Sequence, residues 1–334
     1  MVTRLSDAIV PEVFSAYMLK ETMQKAPIFE SGAIRMDPDF VSKLAGGGST
    51  FQVPHWNDLD DTESDVANDD PDDHATPGKI TSGKTRAIRQ FRTRGWSSAR
   101  LVAELAGSDP QMAIASRVGA YWARQFNRIV VSTLTGVFND NIANDGGDMV
   151  LDLTGEAGEA AKMSADAILE GKQTMGDESG ALKLLIIHSR IYTNLQKQNL
   201  IEFIPNSRGE VNIPTYLGYQ VLQTDTVPVS VDEGTGDVTY TSYLLGEGVL
   251  GWGESPPAEP VEVDSKPSAA KGSGVQELWT RRQFALHPYG FDWTDAAVVG
   301  EFPTNAELAN GANWNRVYPE RKMFAMAAIL TLNG

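Results

Sequence analysis

Apolar residues recur at three- and four-residue spacing over one long stretch of the chain. Ile114, Val118, Tyr121, Trp122, Phe126, Ile129, Val130, Thr133, Leu134 and Val137 fall on one side of a 3.6-residue period, which predicts an amphipathic helix from Pro110 to about Asn139. Ser108-Asp109-Pro110-Gln111 opens it with a capping residue and a first-turn proline. Thirty residues rising 1.5 Å each make a rod of about 45 Å, the longest element and the expected spine of a domain. Shorter helices are predicted around it. Val13, Phe14, Tyr17 and Met18 stripe a helix from Pro11 to Lys25, stopped by Pro27. Asp37 caps a second from Pro38 to Ala45, closed by Gly46-Gly47-Gly48. Others are expected from Gly158 to Met175, from a Ser189 cap to Asn199, and near Thr304 to Ala309.

Period two marks the strands. Ser49 to Trp56 alternates Phe51, Val53 and His55 with polar residues, and Pro54 suits an edge strand or a strand end. Lys84 to Leu105 reads as extended, with Lys84, Arg86, Arg92 and Arg94 on one face. With a turn at Thr76-Pro77-Gly78, these two runs predict a long hairpin over about 49–100. Such a hairpin is marginal alone in water and gains order by lying on a partner. Leu184 to His188 is a buried strand. Gly218 to Thr224 and Tyr240 to Gly246 follow, with a turn at Asp232 to Asp237. Val275 to His287 ends at Pro288-Tyr-Gly290, and Met323 to Leu332 closes the chain. Asn139 to Gly147 reads as a polar turn and Gly251 to Gly274 as an irregular loop. Helices and strands mixed in this way predict an α+β fold, not an ordered doubly wound sheet, and no internal repeat is visible.

Charge changes the picture of the hairpin. Between Asp58 and Asp73 stand nine carboxylates and no base: Asp58, Asp60, Asp61, Glu63, Asp65, Asp69, Asp70, Asp72 and Asp73. Between Lys79 and Arg100 stand seven bases and no acid: Lys79, Lys84, Arg86, Arg89, Arg92, Arg94 and Arg100. A buried unpaired carboxylate costs several kcal/mol, so the acidic run stands in solvent or lies against a positive surface. The basic strand of the next copy is the first candidate. The nine acids and the bases from Lys79 to Arg94 are therefore the expected inter-subunit contacts. The whole chain has 334 residues, 41% of them hydrophobic, enough for a sizeable core and about two domains. A net charge of −16 argues against a whole-surface nucleic-acid binder. There is no cysteine, hence no disulfide or thiolate metal site. No apolar run approaches the roughly 18–20 residues of a membrane span. Asp7 and Glu12 interrupt the first residues, which therefore lack a signal-peptide core, and a soluble intracellular product is expected.

The chemistry motifs fail on context. Gly78-Lys-Ile-Thr-Ser-Gly83-Lys84-Thr85 satisfies the P-loop pattern, whose mechanism needs a buried strand before it and a helix after it. Here a polar turn precedes, and Arg86-Ala-Ile-Arg-Gln-Phe-Arg-Thr-Arg follows as a strand. A glycine hinge is the better reading. Counted from Asp58, the acidic run has Glu63 where an EF-hand needs glycine and Asp69 where it needs glutamate. His55, His74, His188 and His287 lack metal-ligand spacing. No catalytic set, cofactor site or metal site is nominated, and the chain is not expected to be an enzyme. Phe91 and Trp96 beside the bases would suit base stacking, but the neighbouring acids repel phosphate within a Debye length of about 8 Å.

The order of parts, and several local segments, resemble the major capsid proteins of tailed double-stranded-DNA bacteriophages. The segments are Pro214-Thr-Tyr-Leu-Gly218-Tyr-Gln-Val221, Tyr243-Leu-Leu-Gly-Glu-Gly248, Arg281-Arg-Gln-Phe-Ala-Leu-His287-Pro288-Tyr-Gly290 and Asn313-Trp314-Asn-Arg-Val-Tyr318. The resemblance covers nearly the whole chain. It implies an N-terminal arm (1–48), an extended hairpin loop (49–100), a peripheral domain with the spine helix (101–145 and 258–303) and an axial domain (146–257 and 304–334). It also implies self-assembly into the pentamers and hexamers of an icosahedral virion capsid, built in the host cytoplasm around double-stranded DNA. Portal and decoration proteins would be further partners. No long charged helical segment precedes the arm, so a separate scaffolding protein or a cleaved precursor is implied. Some members of that family crosslink a hairpin lysine to a neighbour's asparagine, and Lys79 and Lys84 are candidates by position. A cargo-enclosing nanocompartment shell of the same fold stays open as the alternative.

Overall fold

A computed structural model describes residues 28, 31–57, 59, 62–67, 69–106, 110–198, 202–205 and 212–332. The expected helix from Pro11 to Lys25 and the capping residues Ser108 and Asp109 lie outside the described residues. The chain enters through strand β1 (Ile34–Met36), helix α1 (Pro38–Leu44) and strand β2 (Thr50–Trp56). Strand β3 (Ser82–Ala99) returns and runs into helices α2 (Arg100–Ala106) and α3 (Pro110–Asn144). Next come β4 (Val150–Asp152), α4 (Ala165–Gln173), β5 (Leu182–Ile187) and α5 (Ser189–Lys197). Strands β6 (Glu202–Pro205), β7 (Asn212–Tyr216), β8 (Tyr219–Gln223), β9 (Val229–Val231) and β10 (Val238–Gly246) lead to β11 (Leu250–Glu254) and β12 (Val261–Lys266). The chain closes with β13 (Val275–Pro288), β14 (Phe291–Trp293), α6 (Asn305–Leu308), β15 (Trp314–Arg316) and β16 (Met326–Leu332).

Two sheets carry the architecture. One has the order β1-β11-β13-β3-β2, with β12 also on β13; the other runs β4-β16-β10-β5-β8-β7-β6, with β9 on β10. Helix α3 joins them. Its Val130, Leu134 and Val137 share one buried cluster with Phe284 and Leu286 of β13 and with Ile186, Tyr243 and Leu245 of the eight-stranded sheet. The other face of that sheet is covered by α4 and α5, where Ile168, Ile191 and Leu195 meet Leu185, Ile187, Leu244 and Ile329. Strand β5 is thus apolar at consecutive positions because both of its faces are buried. Each such fully buried aliphatic side chain contributes about 1.5–3 kcal/mol. Gly136 lets α3 approach the tail: a Cβ there would sit 2.0 Å from the Leu308 carbonyl oxygen.

Local chemistry explains where elements begin and stop. Asp37 caps α1 as expected, its carboxylate accepting the Asp39 N–H at 2.9 Å. Thr304 and Glu307 form a reciprocal capping box on α6. Helix α3 runs past the expected stop at Asn139, because its polar end is bonded to itself and to the turn that follows. Asn144 donates to Asp140 at 2.7 Å, and Asn141 takes the Met149 N–H at 3.0 Å. Gly146 and Gly147, both at positive φ, then end it. The predicted helix from Gly158 to Met175 divides into a short 3₁₀ turn, Gly158–Ala161, and α4, which restarts on a Ser164 cap. His188, not Ser189, caps α5, its Nδ1 accepting the Arg190 N–H at 3.0 Å.

Three further readings are corrected. The extended run stops at Ala99, and Leu101 to Leu105, good helix formers, coil into α2. The turn in the hairpin loop falls at Pro71-Asp72, while Thr76 to Gly78 is irregular. The segment from Gly251 to Gly274 contains two strands in place of an irregular loop. Gly251 and Gly253 hide the first from the apolar pattern, since each lies against Phe40 of α1 with no room for a Cβ. The second, β12, is exposed at every position. Strand β11 therefore joins the sheet of β13, on the far side of the boundary expected at 257. Among the described residues, no helix is long and apolar enough to cross a membrane.

Candidate assembly surfaces

Strands β2 and β3 pair antiparallel from Thr50↔Ile88 to Trp56↔Ser82, and β2 is the sheet edge, where Pro54 is tolerated. Asn57 closes the ladder, its N–H on the Thr81 carbonyl at 2.9 Å and its side-chain amide on the Thr81 hydroxyl at 2.8 Å. From there the chain leaves the body. Glu63, Asp65, Asp69, Asp70, Asp72 and Asp73 are exposed; Asp58, Asp60 and Asp61 lie outside the described residues. The turn inside this loop is held by Asp70, whose carboxylate accepts the Asp72 N–H at 3.0 Å.

Only part of the basic half faces solvent. Lys79, Lys84 and Arg94 are exposed. Arg86 turns to the tail, donating to the Thr294 carbonyl at 3.3 Å and pairing with Asp292 at 3.8 Å, while its backbone N–H also goes to Asp292. Arg89 donates to the Lys43 and Gly46 carbonyls at the end of α1, where a cation also complements the helix dipole. Arg92 donates to the side-chain oxygens of Asn305, at 3.2 Å, and Gln90, at 3.4 Å. Its pKa is lowered from the ordinary arginine value, chiefly by burial, with Glu307 opposing. The expected basic face thus divides into bases that clamp the hairpin root to its own chain and three that stay open.

Sequence reasoning missed a second property of the loop. Trp56, Leu59, Val66 and Ile80 are 69%, 68%, 86% and 52% exposed. All four stand in solvent on the loop between β2 and β3 or at its base. The signal was visible as Leu59 and Val66 inside the acidic run. The P-loop pattern does not form its site: Gly78 to Thr81 is irregular and Ser82 onwards is strand β3, where phosphate binding needs a helix N-terminus. Among the described residues, no group of three His, Cys, Asp or Glu could hold a metal ion.

The chain resembles known proteins over nearly its whole length. The Gp13-like family, described as major capsid protein 13-like, matches residues 9–326. The major capsid protein of Bacillus phage SPP1 is 41% identical over 324 residues, covering 96% of each chain. Among solved structures, the capsid of Ralstonia phage GP4 matches with a TM-score of 0.60 at 10% identity, over 91% of this chain and 90% of that one. The cyanophage Pam1 capsid matches at 0.55, with 10% identity and 90% of each chain covered. The head of Helicobacter pylori bacteriophage KHP40 matches at 0.53, with 10% identity over 89% of this chain and 86% of that one. These structural likenesses establish the phage capsid fold. With nearly its whole length matched, the chain belongs to the Gp13-like family of phage major capsid proteins.

Proposed function

We propose that this capsid protein builds its shell by laying the loop of residues 57–81 on neighbouring copies, which close into pentamers and hexamers around double-stranded DNA. The observation that carries this is the loop itself: a projecting segment that displays Leu59, Val66 and Ile80, with Trp56 at its base, and buries none of them in its own chain. A heterologous contact of this kind closes into rings and shells. Single exposed ion pairs contribute about 0–1 kcal/mol. Repetition around a ring adds avidity, and the apolar groups add burial. The carboxylates from Asp58 to Asp73 and the bases from Lys79 to Arg94 are the contact residues in this reading, with Arg86, Arg89 and Arg92 also bonded to their own chain at the hairpin root. The six-stranded sheet with α3 serves as the peripheral domain and the eight-stranded sheet as the axial domain, β11 belonging to the former. The protein's role is structural, without an enzymatic step, and scaffolding, portal and decoration proteins are its further partners. Assembly takes place in the host cytoplasm and the product is the virion head.

The test is assembly across a salt series. Replacing the carboxylates between Asp58 and Asp65 with serine leaves the subunit folded by circular dichroism and weakens shells, and wild-type assembly falls with added salt. Assembly indifferent both to salt and to these substitutions overturns the contact assignment.

A further inference from the structure

Arg92 lines a cavity of about 150 Å³, together with Tyr121, Trp122, Gln125 and Ile129 of α3 and with Asn305. The even-numbered residues of β3 face α3 here, as the edge-on contact between Trp96 and Tyr121 at 5.2 Å fixes. Within its own chain the guanidinium finds neutral acceptors, Asn305 and Gln90. Its Nε–H is buried without a partner, and so is the amide nitrogen of Gln90. The nearby carboxylate is Glu307, which is occupied by the Thr304 N–H at 2.7 Å and the Val299 N–H at 2.9 Å. Among the described residues, no carboxylate comes within ion-pair distance of Arg92. A partly desolvated guanidinium with a spare N–H calls for an anion, because a carboxylate takes two of its donors at once.

We infer that this cavity is the socket for one carboxylate side chain from the acidic loop, residues 58–73, of a second copy. Charge complementarity selects the occupant: the loop carries nine carboxylates, and the six among the described residues are exposed. The cavity is small enough for a side chain and is flanked by aromatic rings that exclude water around the pair, which strengthens it. The loop of the same chain departs at Ser82, ten residues from Arg92 along β3, or about 33 Å away. A neighbour supplies the acid. Arg94, exposed and on the same face of β3 as Arg92, guides the approach. This inference rests on the shell-building reading and specifies the surface that receives the loop.

The absence of cysteine from the natural chain makes the test direct. One preparation carries Gln125→Cys, a half-buried residue of the cavity lining, and others carry Glu63→Cys, Asp65→Cys or Asp69→Cys in the loop. Preparations are mixed, assembled and oxidised, and crosslinked species are identified by mass. At least one loop position should give a mixed dimer with Gln125→Cys, and adding Arg92→Gln to the Gln125→Cys chain should reduce its yield about tenfold, the change expected for losing one charge-assisted contact. Shells that form without a mixed dimer at any loop position overturn the socket and leave the shell-building role standing. Mixed dimers whose yield ignores Arg92→Gln also overturn it, placing the loop near α3 without an ionic contact. Failure of every preparation to assemble, wild type included, overturns the shell-building role and the socket with it.

Discussion

Gly136 gives the most quantitative check on how the spine helix is seated. Exchanging glycine for alanine inside an exposed helix ordinarily stabilises by about 0.5–1 kcal/mol. At Gly136 a Cβ would stand 2.0 Å from the Leu308 carbonyl oxygen and 2.5 Å from the Trp314 indole nitrogen, where ordinary contact begins at 3.4 Å. The carbonyl has to retreat by more than an ångström. That movement breaks the 2.8 Å hydrogen bond from the Trp314 indole to the same oxygen, and Trp314 is only 2% exposed. Overpacking costs about 1–3 kcal/mol. A stranded buried donor costs about 1–3 kcal/mol more. Set against the helix gain, Gly136→Ala is expected to destabilise by about 2–4 kcal/mol. Gly119→Ala is the matched control, exposed on the same helix with nothing within 4 Å of its Cβ, and it should stabilise. Urea unfolding of the unassembled subunit, followed by far-ultraviolet circular dichroism, reads both. Equal midpoints for the two variants would refute the close approach of α3 to α6 and β15.

Two further substitutions probe buried polar groups. Burial lowers the pKa of His287 from 6.5 to about 3, and neither ring nitrogen has a partner. The unfolded chain therefore takes the proton first: stability is full above pH 6.5, falls as pH drops towards about 3, and is lower by about 2 kcal/mol at about pH 5. His287→Leu should remove that part of the acid sensitivity, seen as a smaller loss of urea midpoint between about pH 8 and about pH 5; an unchanged loss contradicts the burial argument. Arg316, whose side chain is 3% exposed, holds Asp148 with two 2.8 Å contacts and also donates to the Tyr318 and Pro319 carbonyls at 2.7 Å. Lysine cannot reproduce that fork, so Arg316→Lys should cost about 2–4 kcal/mol in the same unfolding assay.

The parts of the fold that were legible in the sequence are those whose burial leaves a regular apolar pattern along the chain. The stripe from Ile114 to Val137 gave α3 because its apolar positions recur at helical spacing, although its second half is buried on more than one side between the two sheets. Strand β5 stood out because both of its faces are buried. Asp37 announced a helix start through local side-chain chemistry, which needs no tertiary contact. Strands β11 and β12 were not legible. The first carries glycines wherever Phe40 crosses it, and the second is an exposed strand held by its backbone ladder and by surface pairs such as Lys266–Glu277 and Arg281–Glu262. For the assembly surface, the charge split located the projecting loop. It could not show which bases remain open, because their partners are remote: Arg86 meets Asp292 and Arg92 meets Asn305. Charge also drew attention away from Trp56, Leu59, Val66 and Ile80, whose exposure depends on the loop leaving the body.

The shell-building role is tested most directly by electron microscopy of the purified chain across protein concentration and salt. Rings of five or six subunits, or closed shells that give way to smaller species as salt is raised, are the expected result. A subunit that stays monomeric at every concentration and salt, while remaining folded by circular dichroism, would contradict it.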